Sequence, residues 1–328
     1  MSELARVVRT RFSALIKHEP MPGVTYPEVL MVDAPLARRW RVVALGVGGC
    51  MLGIISFFVF TRALIMFVVW LGWVAAGSPG TLQVYGTAAA AYELPIGMLA
   101  TNLGLALLIP ISVGLVLFVP RFRPHWLHSV QPGFRWRFML AAVLVGLVVL
   151  GGVWAVSRIG QPWVFAPEQQ WGWFLLIVLL TSPLQAAAEE YFFRGYLIQA
   201  LHTTSSSSPW FGVVASAAVF ALFHGTQNLP LFLYRFAFGV LAGVLVVKTG
   251  GLEAGIAAHV VNNVVAYGYA VLSGTVVATH AVTEIGWLEL AWTLAGFGAF
   301  AAVTIWIARR MRVATTTPGV RFGGPAEV

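Results

Sequence analysis

Long apolar runs separated by short polar segments constrain the fold of this chain more than any other feature. Each run approaches the roughly 20 apolar residues that an α-helix needs to cross about 30 Å of hydrocarbon. Only 10% of the 328 residues are charged and 59% are hydrophobic, whereas a soluble globular domain carries about 25% charged residues. We therefore predict an integral membrane protein with an all-α fold, a polytopic transmembrane bundle of about eight helices. The predicted spans lie near residues 42–62, 97–119, 137–157, 172–194, 210–225, 230–248, 252–273 and 287–308.

The first apolar run allows two interpretations. It continues beyond residue 62 to Ala76 with Arg62 as its one charged residue, so it fits either one long tilted helix or a helix followed by a re-entrant segment. Cys50, the only cysteine, lies in this run and excludes an internal disulfide or a cysteine-based metal cluster. In a later run, Gly239 and Gly243 have the four-residue spacing that is typical of helices packing closely in lipid.

Basic residues gather at one set of ends of the apolar runs. With the N-terminus inside, the opposite side holds only Arg62 and Arg158, which is a strong positive-inside bias. We therefore expect a multi-pass protein of the plasma (inner) membrane with both termini in the cytoplasm. This topology explains the net charge of +8 better than nucleic-acid binding does, and the polar start of the chain does not resemble a removable signal peptide. The basic residues placed inside are Arg6, Arg9, Arg11, Lys17, Arg38, Arg39, Arg41, Arg121, Arg123, Arg135, Arg137, Lys248, Arg309, Arg310, Arg312 and Arg321.

Two neighbouring acids, Glu189 and Glu190, lie within an apolar run. A carboxylate at membrane depth costs several kcal/mol unless it is paired or hydrated, so the pair is a functional-site hypothesis. Residues four apart share a helix face, which predicts an ion pair between Glu190 and Arg194 and leaves Glu189 free to act on a substrate or water. Gln185, one turn before Glu189, is expected to orient it. The alternative is that both acids only neutralise Arg194 or each other.

Two histidines also fall in apolar runs. His224 follows Phe220 by four residues, and the Phe220 ring is expected to support the imidazole. His259 precedes Asn263 by four residues, with Asn262 nearly on the same face. A lone histidine in a helix is usually a packing residue, but two histidines, an amide and a glutamate on three apolar helices favour a shared polar site.

Several other intramembrane chemistries lack their residues in this sequence. Asp33 is the only aspartate, which excludes a protease that uses two aspartates. The chain contains no His-Glu-x-x-His run of the zinc hydrolases and no Gly-x-x-x-x-Gly-Lys phosphate loop. Ser273 stands in Val-Leu-Ser-Gly rather than in the Gly-x-Ser-Gly of serine intramembrane proteases.

Three motifs together resemble the family of CAAX prenyl proteases and bacteriocin-processing proteins (ABI, or CPBP), which are intramembrane peptidases. The first motif, Glu-Glu-x-x-x-Arg, is matched by Glu189, Glu190 and Arg194. The second, Phe-x-x-x-His, is matched by Phe220 and His224, and the third, His-x-x-x-Asn, by His259 and Asn263. Their order and spacing agree with the family over roughly residues 175–275.

The resemblance implies a hydrolase and a mechanism. Glu189 with His224 would activate a water, and His259 with Asn263 would stabilise the oxyanion. The implied substrate is a membrane-associated peptide or protein in contact with the lipid bilayer, and nothing in the sequence indicates a prenylated partner. We favour metal-independent chemistry without a cofactor. Zinc held by Glu189, His224 and His259 is the alternative, although another base would then be needed.

The resemblance also divides the chain. We expect a basic cytoplasmic N-terminal tail (1–41), accessory transmembrane helices (42–158), a catalytic CPBP-like core (172–275), a last transmembrane helix (287–308) and a basic, disordered C-terminal tail (309–328). The alternative function is a non-catalytic membrane immunity or scaffold protein that uses the same polar cluster to bind a peptide. A proton-coupled transporter is a weaker third hypothesis, because no inverted repeat is visible.

Overall fold

The computed structural model describes residues 16–31, 39–131, 133–204 and 208–319, and within these ranges the chain is helical, with two isolated β-bridges and no strand. Short 3-10 turns span Tyr26–Glu28 and Pro124–Leu127. The helices are α1 (Arg39–Ala75), α2 (Leu82–Ala90), α3 (Pro95–Phe118, with a turn at Leu107), α4 (Trp136–Ser157), α5 (Trp171–His202), α6 (Pro209–Leu222), α7 (Leu229–Thr249), α8 (Glu253–Ser273), α9 (Val276–His280) and α10 (Trp287–Arg310).

The helix lengths confirm the predicted transmembrane bundle. Among the described residues, seven helices are long and apolar enough to cross a membrane, and α6 is a shorter apolar helix of 14 residues. Large apolar side chains such as Met51, Met66 and Val148 are exposed on their outer faces. Water would disfavour so much exposed apolar surface, whereas lipid does not. The chain is an integral, multi-pass membrane protein.

The first apolar run forms one continuous helix and not a helix followed by a re-entrant segment. α1 is 37 residues long, and its residues Phe57–Thr61 are wound as a π-helix. Arg62 therefore lies inside this helix, about 35 Å from Arg39 at about 1.5 Å per residue, and not at a helix end. Its side chain is exposed.

The helices pack in a continuous series of neighbouring pairs. α1 contacts α3, α3 contacts α5, and α5 contacts α8; α8 then packs on α4, α4 on α10, α10 on α7, and α7 on α6. Close approach between α6 and α7 depends on Gly239 and Gly243, because a Cβ atom there would lie 2.8 Å from Ala217 Cβ and 2.6 Å from Val213 Cγ1. The predicted packing role of these glycines is confirmed.

Several connecting segments meet on one side of the bundle, which we call the basic face. It comprises residues 16–31, 119–131, 133–135, 248–253 and 309–319. An antiparallel bridge joins Thr25 to Thr316, and another joins Ser129 to Gly251. Arg135 Nε donates to the buried carboxylate of Glu253 at 2.8 Å, which ties the start of α4 to the start of α8. These contacts fix the helix ends that surround the candidate site.

The basic face includes parts of both predicted tails. Residues 16–31 and 311–319 are linked by the hydrogen bond from the Thr317 amide to the Val24 carbonyl (2.9 Å), whereas the sequence predicted a disordered tail over residues 309–328. Arg6, Arg9, Arg11, Asp33, Arg38 and Arg321 lie outside the described residues. Arg158 lies at the opposite end of α4, where it donates to the Tyr269 hydroxyl at 2.9 Å.

Candidate active site

One helix, α5, presents four of the polar residues that the sequence singled out, Gln185, Glu189, Glu190 and Arg194. It is α-helical over Trp171–Glu189, with Pro183 inside it, and changes to a π-helix over Glu190–Leu197. π-helical turns are rare and are often found at functional sites. The change in winding begins at Glu190, so the two neighbouring acids lie on either side of it.

The ion pair predicted from the four-residue spacing is present at the start of the π-helix. Arg194 Nη1 lies 3.1 Å from Glu190 Oε1, and the two residues are only 1% and 0% exposed. Arg194 Cζ also lies 4.2 Å from the centre of the Phe220 ring and 5.5 Å from that of Phe238. Ion pairing and contact with aromatic faces compensate for taking this guanidinium out of water.

His259 brings the two glutamates together. Its Nδ1 donates to Glu190 Oε1 at 2.9 Å, and its Nε2 lies 3.4 Å from Glu189 Oε2. The imidazole is buried, and a Cβ atom added to Gly255, one turn earlier on α8, would lie 3.0 Å from Glu190 Oε2. The sequence predicted separate surroundings for the two acids, but one imidazole contacts both through different nitrogens.

A chain of amide hydrogen bonds fixes Asn263 beside this cluster. The Tyr234 hydroxyl donates to Asn262 Oδ1 (3.2 Å), Asn262 Nδ2 donates to Asn263 Oδ1 (3.3 Å), and Asn263 Nδ2 donates to Gln185 Oε1 (3.0 Å). Gln185 also interacts with Glu189, the contact that the sequence predicted for it. The chain therefore connects α7, α8 and α5.

His224 lies next to the cluster but is not bonded to it. Its Nδ1 donates to the Phe220 carbonyl at 2.8 Å, and the two rings contact edge to face with their centres 4.6 Å apart. Among the described residues no hydrogen bond or ion pair joins His224 to Glu189. The Phe220 ring is also 6.2 Å from that of His259, so it contacts both histidines and Arg194.

The three residues named for a zinc site are not arranged as a ligand set. In the described parts of the chain, no group of three or more histidine, cysteine, aspartate or glutamate side chains is placed to hold a metal ion. Glu189 and His259 are in contact, while His224 is turned toward the Phe220 carbonyl.

Sequence reasoning missed Tyr234 and Phe238 of α7. Phe238 packs edge to face on His259 with ring centres 4.9 Å apart, and Tyr234 holds Asn262. Their four-residue spacing marks one face of a helix, but aromatic residues are frequent in this chain. Nothing in the pattern indicates that this face meets His259.

Comparison with known proteins finds a similar family over these same helices. Residues 171–265 match the type II CAAX prenyl endopeptidase family described as Rce1-like. The resemblance predicted from the three motifs is thus confirmed for this Rce1-like segment, which runs from the start of α5 into α8 and includes all of the candidate site residues. The rest of the chain lies outside the match.

A curated relative is similar over a longer stretch. The uncharacterized protein YyaK of Bacillus subtilis (strain 168) is 26% identical over 155 residues, which are 45% of this chain and 49% of YyaK. The chain thus spans about half the length of the curated relative that it matches. No solved structure matches the chain. The Rce1-like segment is therefore the part of the chain from which a function can be inferred.

Proposed function

We propose that the protein is an intramembrane endopeptidase that hydrolyses a peptide bond of a membrane-associated peptide or protein. The observation that carries the proposal is the contact of His259 with Glu189 and Glu190 inside the Rce1-like segment. Residues 172–275 would supply the chemistry, and residues 42–158 would be accessory. A buried acid beside a histidine and an amide is suited to moving a proton while a charge develops on oxygen.

In the proposed reaction, Glu189 is the general base. It takes a proton from a water, and the resulting hydroxide attacks the carbonyl carbon of the scissile peptide bond. The carbonyl oxygen becomes an oxyanion, which accepts hydrogen bonds from His259 Nε2 and Asn263 Nδ2. When the carbon–nitrogen bond breaks, the proton held by Glu189 passes to the departing amine. No redox step or further reactant is needed.

His224 would act on the same water from the other side. Because Nδ1 donates to the Phe220 carbonyl, the neutral imidazole carries its lone pair on Nε2. That nitrogen can accept a hydrogen bond from the water and help orient it. The Phe220 ring limits the positions that the imidazole can take.

Glu190, Gln185 and Asn262 would be positioning residues. In a charged imidazole both ring nitrogens donate, so His259 can keep Glu190 on Nδ1 while Nε2 turns from Glu189 to the oxyanion. Asn262 donates to Asn263 Oδ1, which keeps the Nδ2 end of Asn263 directed toward Gln185 and the site. An inverted amide would instead present an oxygen to the developing negative charge.

The proposed mechanism does not use a metal, and chelation tests this. Activity of the purified protein should survive prolonged dialysis against a chelator, because a carboxylate and an imidazole activate the water. About one zinc per chain that copurifies, and that is lost together with activity in both His224→Ala and His259→Ala, would overturn the metal-free mechanism.

Cleavage by the purified protein tests the function. The full chain in liposomes is offered a broad panel of membrane-associated peptides, beside Glu189→Gln and a matched control, Glu284→Gln, which changes an exposed loop acid. We expect cleavage by wild type and by the control but not by Glu189→Gln. If no preparation cleaves any peptide, and a cellular function survives Glu189→Ala and His259→Ala at normal protein levels, the immunity or scaffold hypothesis replaces this one.

A further inference from the structure

A cavity of about 270 Å³ opens at the basic face, away from the candidate active site. It lies between the start of α1, the turn after α3, the end of α5 and the segment of residues 16–31. Its walls are mainly apolar, and they include Leu30, Val42, Leu45, Val119, Tyr196 and Ala200. Leu45 is 50% exposed, so the cavity continues onto the outer surface of α1.

The mouth of this cavity is positively charged. Arg41, Arg121 and His18 line it, and Lys17 precedes His18 in the chain. The Arg121 carbonyl accepts hydrogen bonds from the amides of Lys17 (2.9 Å) and His18 (3.3 Å), which holds these residues at the mouth. Arg121 itself has a φ of 59°, a backbone conformation uncommon for a residue with a side chain.

Within the described ranges, no acidic side chain lines this cavity. Among the described residues, neither Arg41 nor Arg121 forms an ion pair, and Glu19 is engaged with Arg123 at 2.6 Å. Burial, together with the nearby charges of Lys17 and Arg121, lowers the pKa of His18 below its usual value, so the positive charge of the mouth comes from the arginines and Lys17 and not from this imidazole. The cavity thus combines apolar walls with a cationic entrance.

We propose that this cavity binds an anionic phospholipid of the adjacent leaflet. Its phosphate would lie between Arg41 and Arg121, and part of one acyl chain would enter between Val42, Leu45 and Val119. Basic pockets between transmembrane helices are suited to acidic lipid headgroups. A bound lipid would contact Tyr196 and Ala200, at the end of the same helix that carries Glu189. The proposal does not depend on the proposed peptidase activity.

Native mass spectrometry of the full chain tests this with phosphatidylglycerol and phosphatidylcholine titrated separately. We expect wild type to retain phosphatidylglycerol preferentially, and Arg41→Gln/Arg121→Gln to weaken its binding about tenfold or more, since each cation at a membrane surface contributes substantially to attraction of acidic lipid. The control Arg309→Gln/Arg310→Gln removes two exposed cations from the same face outside the cavity and should retain wild-type binding.

Thermal melting distinguishes a lipid-binding site from a site that binds free anions. Phosphatidylglycerol should raise the melting temperature of wild type, and inorganic phosphate at the same concentration should not. Leu45→Trp, at an exposed position of the apolar wall, should weaken lipid binding without unfolding the protein. Equal binding of both lipids, equal loss in the control variant, or equal stabilisation by phosphate would each overturn the proposal.

Discussion

At the residue scale, His259 makes the two glutamates interdependent while leaving them different environments. Glu190 has Arg194 and His259 Nδ1 as partners and is 0% exposed, whereas Glu189 has His259 Nε2 at 3.4 Å and the Gln185 amide. Loss of a buried ion-pair partner leaves an uncompensated charge, while loss of a general base removes a chemical step. Substitution of Glu189 should therefore reduce activity, whereas substitution of Glu190 should reduce stability.

Substitution of each acid tests this difference. Glu189→Gln should reduce turnover by about 10²-fold or more with little change in melting temperature, because the amide cannot accept the proton. Glu190→Gln should lower the free energy of unfolding by about 3–5 kcal/mol, since Arg194 then stays buried without its anion. Turnover and thermal melting of the purified variants distinguish the two roles. Equal loss of turnover in both variants, with unchanged melting temperatures, would contradict the assignment.

The orientation of Asn263 gives a second prediction at this scale. Asn262→Ala should lower turnover about threefold to tenfold, because one hydrogen bond contributes about 0.5–1.5 kcal/mol. In an Asn263→Ala background the same change should have no further effect on turnover, since nothing remains to be oriented. A double-mutant cycle measures this. Additive losses in the cycle would mean that Asn262 acts through packing and not through Asn263.

Residue spacing along one helix was predictable, and contacts between helices were not. The Glu190–Arg194 pair and the support of His224 by Phe220 follow from the helical period. The contacts of His259 with both acids and of Asn263 with Gln185 join residues about 70 or more positions apart. They depend on the relative height and rotation of α5 and α8, which local sequence does not encode.

At the element scale, the winding of α5 determines how its polar residues are presented. A regular α-helix is the natural prediction for the apolar run, and the structure departs from it over Glu190–Leu197. Straight helices of about 1.5 Å per residue place Glu189, His259 and His224 at different depths. The structure brings Glu189 and His259 together, and His224 reaches the cluster only through Phe220.

The contact between α6 and α7 positions His224 and Phe220, and its glycines can be tested. Gly239→Ala should lower the free energy of unfolding by about 1–3 kcal/mol, because the added Cβ would lie 2.9 Å from the Ala217 Cα atom. Gly268→Ala, which adds a Cβ to α8 in open space, should leave stability unchanged or raise it slightly. Thermal melting of the two variants measures this difference. Equal melting temperatures for Gly239→Ala and Gly268→Ala would contradict the close approach of α6 and α7.

At the scale of the whole molecule, the basic face contains the helix ends that the charge pattern assigned to the cytoplasmic side. The number of helices and their apolar character could be predicted, because bilayer thickness fixes span length. The pairing of residues 23–25 with residues 316–317 could not, since polar terminal segments carry no periodic pattern. We propose that this face is cytoplasmic, as the positive-inside bias predicts.

Site-directed labelling tests this orientation. In a Cys50→Ser background, cysteines placed at Lys17 and at Gln161 report on the basic face and on the opposite loop, and both positions are exposed. In intact cells a membrane-impermeant maleimide should label Gln161→Cys and not Lys17→Cys, and lysis should expose both. Labelling of Lys17→Cys in intact cells would reverse the proposed topology.

Comparative membrane proteomics tests whether Glu189 is the base of an intramembrane peptidase. Cells that produce wild type, Glu189→Gln or Glu284→Gln at equal levels are compared for membrane proteins and peptides of altered length. We predict that an uncleaved precursor accumulates with Glu189→Gln, while its shortened product is present with wild type and Glu284→Gln. Identical precursor and product levels in all three strains, with Glu189→Gln folded, would contradict the role of Glu189 as the base of a peptidase.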